Sequence, residues 1–227
     1  MRTKKYWTDQ LGESWTEVLK PLLKSDYMGE LMNSLNIDYA LSDMYPERLQ
    51  DVFKAFKLCP WDKLKIVIIS TEPGMYTGFG PLAFSDTSSI YTNSSAEAIR
   101  RCVSDYNNDL GLDFDNTFER WAEQGILMLN RSLVARKDTP KSHREKFKKF
   151  FGSILYVIEK YKPGTIFLLW GKEANKYAEI LSINHHVFSW EHPMVANKAF
   201  RQWQCPNFKQ VDKLLESLYG KEAILSW

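Results

Sequence analysis

The chain has 227 residues, 44% hydrophobic and 14% aromatic, which is enough to close a sizeable core and excludes a disordered or fibrous protein. Lys and Arg number 30 against 28 Asp and Glu, a net charge of +2, so bulk charge demands no polyanionic partner and any nucleic-acid site has to be a local patch. The three cysteines, Cys59, Cys102 and Cys205, form no CxxC pair of the kind that marks zinc or a redox dithiol, no apolar run approaches the roughly 18 residues of a membrane span, and a reducing cytoplasm fits best.

Along the chain, PERLQDVFKAF reads as a helix and is followed by the apolar run KIVIIS (Lys65 to Ser70). A glycine-rich loop, STEPGMYTGFGPLAFS, comes next, and then the helix start SSAEAIRRCV. Three further apolar runs follow: ILMLN (Ile126 to Asn130), TIFLLW (Thr165 to Trp170) and HHVFSW (His185 to Trp190). The runs are continuously apolar, as strands covered on both faces should be, and helical segments separate them. With no internal repeat and no linker rich in Pro, Gly or Ser, residues 1–227 read as a single domain of α/β class with a mostly parallel sheet.

Ligands of open α/β sheets bind beyond the carboxyl ends of the strands. The residues at those ends are Thr71, Glu72 and Pro73; Asn130; Gly171 and Lys172; and Glu191, His192 and Pro193. An acid, an amide and an imidazole thus converge on one edge. Taken singly, Glu72 reads as a solvated loop acid, Asn130 as a strand-end cap and Phe84 as a core ring, whereas His192 already favours a functional reading.

Six blocks, in order, carry a resemblance: SWTEVLKPLL, YPERLQDVFKAFKLCPWDKLKIVIIS, WAEQGILMLNRSLVARKDTPKSH, IFLLWGKEAN, HHVFSWEHP and QCPNFKQVDKLLESLYGKEAILSW. Together they resemble the uracil-DNA glycosylases of the family 1 type. The resemblance implies a three-layer α/β/α sandwich around a four-stranded parallel sheet. It also implies hydrolysis of the bond joining a flipped-out pyrimidine to deoxyribose, with no cofactor or metal and with DNA as partner of a monomer. By resemblance Glu72 stands where the family has its water-orienting aspartate, and His192 where a histidine donates to the departing base. Asn130 matches the asparagine that reads the base edge, Phe84 the ring it stacks on, and Thr71 and Gly74 the base-binding loop. Ser142 and His143 match a Ser-His pair near the DNA, while Ser94 and Ser95 open a helix whose amino end faces a phosphate.

The departures are as informative. The family's Gly-Gln-Asp-Pro-Tyr-His stands here as Ser70, Thr71, Glu72, Pro73, Gly74 and Met75. Glu72 is one methylene longer than aspartate, and Gly74 replaces the tyrosine that excludes a methyl group at the C5 edge of the base, which predicts an opened pocket. In the last loop His192 and Pro193 are followed by Met194, Val195 and Ala196, so alanine replaces the leucine that wedges into the duplex, leaving Met194 or Val195 as substitutes. Three functions remain open at this level. The first is removal of a 5-substituted or hypermodified pyrimidine, as in viral DNA, by a cytoplasmic defence or viral enzyme. The second is conventional uracil removal, and the third is a catalytically silent DNA- or protein-binding relative.

Overall fold

The computed structural model describes residues 2–74, 78–87 and 94–227, with Ser94 through its backbone only. In chain order its strands are β1 (Met44–Tyr45), β2 (Ile66–Ser70), β3 (Ile126–Asn130), β4 (Ala135–Arg136), β5 (Ile166–Trp170) and β6 (His186–Trp190). The four predicted apolar runs are β2, β3, β5 and β6. They form one parallel sheet in the order β3-β2-β5-β6, with Ser70 opposite Asn130 and Trp170 opposite Trp190.

Every residue of β2, β3 and β5 is buried, which is why these strands read as unbroken apolar runs. The edge strand β6 departs from that expectation, because none of its residues is fully buried and Ser189 and Trp190 are exposed. Helices flank the sheet to make the α/β/α sandwich. The chain leaves β2 for β3 on one side and returns to β5 on the other. The carboxyl ends of β2 and β5 therefore border a topological switch point, where the crossing connections diverge and leave a crevice.

A second, two-stranded sheet was not legible in the sequence: β1 pairs antiparallel with β4 and ties down the segment that follows β3. Beside it lies Asp38, buried near the end of helix Asp26–Leu41. Its carboxylate accepts from Lys146 Nζ at 2.7 Å, from His143 Nε2 at 2.9 Å and from Arg136 at 3.1 Å. Burial pushes the Asp38 pKa up, but the hydrogen bonds and charges of Lys146 and His143 outweigh it and hold it at about 2.

His143 is 1% exposed, with its ring enclosed between Asp38 and Ser142 Oγ, which lies 2.9 Å from Nδ1. The expectation that this imidazole meets DNA directly is therefore corrected, since the ring is spent on shaping the loop. Ser142 in turn accepts from the Arg136 amide at 2.9 Å.

Asp38→Ala leaves several donors facing an empty site, and should lower unfolding free energy by about 3 kcal/mol, read from urea midpoints at neutral pH. Because the folded pKa lies below the ordinary value, this stability is present above about pH 4 and lost as pH falls toward 2. The gap between wild type and variant should close over that window.

Candidate active site

Asn130 ends β3 at 1% exposure, and neither its Oδ1 nor its Nδ2 has a hydrogen-bond partner among the described residues. An unsatisfied buried amide costs about 1–3 kcal/mol, and native folds rarely keep one without a reason. Both a donor and an acceptor are thus held ready at the strand end.

Phe84 sits on a loop whose geometry is fixed from several sides. Gly80 N donates to Ser85 O at 3.0 Å, Ala83 N to Met128 O on β3 at 3.1 Å, and Asp86 N to Asn116 O at 2.8 Å. Phe84 is held at φ 66, a left-handed conformation that a bulky residue keeps only when its surroundings enforce it. Its ring lies 5.6 Å from that of Trp170 and 5.5 Å from that of His192.

His192 caps the helix Pro193–Lys198, its Nδ1 accepting from the Met194 amide at 3.1 Å. The proton of the neutral ring is therefore on Nε2, which is left as a donor. Burial, and to a lesser degree the nearby Lys198 charge, lowers the His192 pKa below 6.5, so the ring is neutral at neutral pH. Gly171, at φ +96, closes the approach from β5: a Cβ there would stand 2.8 Å from His192 Cβ.

Glu72, half-buried beyond β2, reaches across to the loop after β4. Both carboxylate oxygens lie 3.0 Å from the backbone N of Lys141, itself at φ 62. The extra methylene is thus used to span to that loop. Since an ionised carboxylate accepts about four hydrogen bonds, capacity remains for a water. Thr71 is exposed, and its carbonyl accepts from Ser132 N at 3.0 Å. It borders a cavity of about 590 Å³ at the strand ends, together with Gly171, Asn175, His192, Met194 and Val195. A larger cavity of about 680 Å³ lies away from the strand ends, beside Trp121 and Trp227.

Two expectations are corrected at this edge. Gly74 does not face open space: a Cβ built on it would lie 2.1 Å from the Phe79 ring, so a side chain from five residues away fills the place next to it. Ala196 is 0% exposed and packed inside, so it touches no duplex, whereas Val195 is 49% exposed and Met194 half-buried. Trp203, beyond the helix Pro193–Lys198, is 1% exposed; it packs 4.9 Å from Trp170 and donates to Glu191 O at 3.0 Å.

The helix Ser94–Asn107 begins where its start signal predicts. Ser95 is buried, while the Ser94 side chain and Met75 lie outside the described residues. Much of the basic segment from Arg136 to Lys149 is internally engaged, with Arg144 on Glu173 and Arg136 and Lys146 on Asp38. Sequence reading missed Phe79 and Lys141. Neither carries a motif, since one acts through its ring position and the other through its backbone amide. Among the described residues no group of three or more His, Cys, Asp or Glu could hold a metal, and no helix is long and apolar enough to cross a membrane.

The arrangement, an unpartnered amide, a stacking ring and a neutral imidazole donor at a switch point, suits recognition of a flat polar base. Residues 56–218 match the uracil DNA glycosylase superfamily. The chain is 29% identical over 220 residues to a uracil-DNA glycosylase of Fusobacterium nucleatum, covering 94% of this chain and 95% of that one. It is 33% identical over 201 residues to one from Azobacteroides pseudotrichonymphae, covering 84% and 88%. In fold it resembles the mimivirus uracil-DNA glycosylase, with a TM-score of 0.73, 18% identity and coverage of 85% of this chain and 71% of that one. This is the class of DNA glycosylases, hydrolases that act on N-glycosyl bonds. The chain belongs to the uracil DNA glycosylase superfamily.

Asn130→Leu removes the unsatisfied amide at similar volume and should leave the melting temperature unchanged or raised, while base release falls at least ~100-fold. If catalysis needs His192 held by the Met194 amide on Nδ1, a contact that ring protonation breaks, kcat/KM should be flat above neutrality and fall only below pH 6.5. That acid limb should vanish from the residual activity of His192→Ala. A limb centred well above pH 7 would contradict the tautomer assignment.

Proposed function

We propose that the chain hydrolyses the N-glycosidic bond of a pyrimidine flipped out of DNA, leaving an abasic site, and that the favoured base carries a substituent at C5. The observation that carries the first part is Asn130, whose buried donor and acceptor have no partner among the described residues and match the polar edge of a base. In this reading Phe84 stacks on the flipped ring. His192 Nε2–H donates to a base oxygen as charge gathers there, and Glu72 orients water and offsets positive charge on the sugar. Retention of Glu72 and His192 argues against a silent relative.

The substrate class rests on Gly74. No side chain is bonded to the backbone there, and the wall is the Phe79 ring, carried on a loop between Gly78, at φ 99, and Gly80. That wall belongs to a separate residue, so the space beside position 74 is set by the Phe79 side chain and not by a ring bonded to position 74 itself. Release of a hypermodified base suits attack on modified foreign DNA. Uracil removal is the second reading, favoured by the present position of Phe79, which narrows the space beside Gly74.

Two experiments test the reading. Duplexes carrying uracil, thymine, 5-hydroxymethyluracil, 5-hydroxymethylcytosine or its glucosylated form should show base release, fastest on a 5-substituted member. If uracil is fastest the second reading stands, and if nothing is released the glycosylase assignment fails. Phe79→Ala combined with Gly74→Tyr replaces a wall supplied by position 79 with a ring bonded at position 74, and should shift the kcat/KM ratio toward uracil at least ~10-fold, about 1.4 kcal/mol.

For Glu72 the two obvious substitutions should separate. Glu72→Gln keeps an oxygen for the Lys141 amide but loses the charge, so activity should fall at least ~100-fold with an unchanged melting temperature. Glu72→Ala removes both, and should lower the melting temperature as well. Full activity in Glu72→Gln would reduce this carboxylate to a loop anchor.

A further inference from the structure

Phe200 is 99% exposed, the most exposed of the large apolar side chains among the described residues. Its backbone is nevertheless fixed. At the end of the helix Pro193–Lys198, Phe200 N donates to Asn197 O at 3.0 Å and Arg201 N donates to Ala196 O at 3.1 Å. This is the paired closure of a Schellman turn, and it places Phe200 at the left-handed position, φ 52, where glycine is the usual residue. A phenylalanine here carries two penalties, a strained backbone and an aromatic ring left in water, and gains no packing in return.

The platform beneath it is rigid. Ala196 is fully buried, Arg201 is paired with Glu191, and Trp203 is packed on Trp170. The ring is therefore held out from a stiff support that begins at His192. Phe200 follows His192 by eight residues, at the far end of the helix that His192 caps. Positive charge lies near it in sequence and in space: the exposed Lys198 is two residues before it, and Arg101 and Arg201 border the same cavity of about 490 Å³ as Phe200.

We propose that the Phe200 ring enters duplex DNA beside the flipped nucleotide and fills the stack from which the base departs, as apolar side chains do when they part base steps. This rests on the glycosylase reading above but concerns a different act, opening the duplex. It also reassigns the wedge from Met194, Val195 or Ala196 to a residue outside the matched motif.

The test uses a duplex with a tetrahydrofuran abasic analogue and 2-aminopurine in the opposite strand, so no base release is needed and failure of the glycosylase reading leaves it readable. Phe200→Ala should weaken binding to this duplex at least ~10-fold and abolish the 2-aminopurine fluorescence change. Phe200→Leu should restore most of both, and binding to the same strand without its complement should change less than ~3-fold. Phe200→Gly should melt at or above the wild-type temperature, since it relieves the left-handed strain. Equal losses on single and double strands, an unchanged fluorescence response, or a Phe200→Ala effect confined to self-association in sedimentation would each overturn the proposal.

Discussion

The packing of Trp170 is the constraint on which the site depends. As the last residue of β5 it is buried, its indole N–H bonded to Asn207 Oδ1 at 2.8 Å, and its ring meets Phe84 on one side and Trp203 on another. Two segments far apart in sequence, the loop carrying Phe84 and the loop carrying His192, are thereby held against one fixed surface. Close-packed aromatics in an interior tolerate little displacement. Preorganisation of the strand-end site is thus a by-product of core formation at the carboxyl end of a central strand.

The opposite wall is built by polar tethers. Asp38 gathers His143, Lys146 and Arg136, and the loop so fixed presents the Lys141 amide to Glu72. A carboxylate on a long side chain loses precision unless something limits its rotamers. Here a backbone N–H from a separately anchored loop limits it, so the longer acid is compatible with a defined position.

The sheet was legible because β2, β3 and β5 are covered on both faces and leave unbroken apolar runs. Asn130 and His192 were legible as polar residues placed where such runs stop. What was hidden has a common physical basis. The paired strands Met44–Tyr45 and Ala135–Arg136 are too short to carry a period. Exposure decides the fates of Ala196 and His143, yet neither residue type nor motif position encodes exposure. Gly74 read as empty space because a sequence shows what is bonded to a position and not what leans against it.

That last feature has a consequence for how this scaffold changes over generations. In this chain the element beside the glycine and the element that fills the gap belong to different codons, Gly74 and Phe79, and neither is the acid or the imidazole. Pocket shape is then a heritable variable separable from the reacting groups. A single replacement at position 79 alters the space beside Gly74 while leaving Glu72 and His192 as they are.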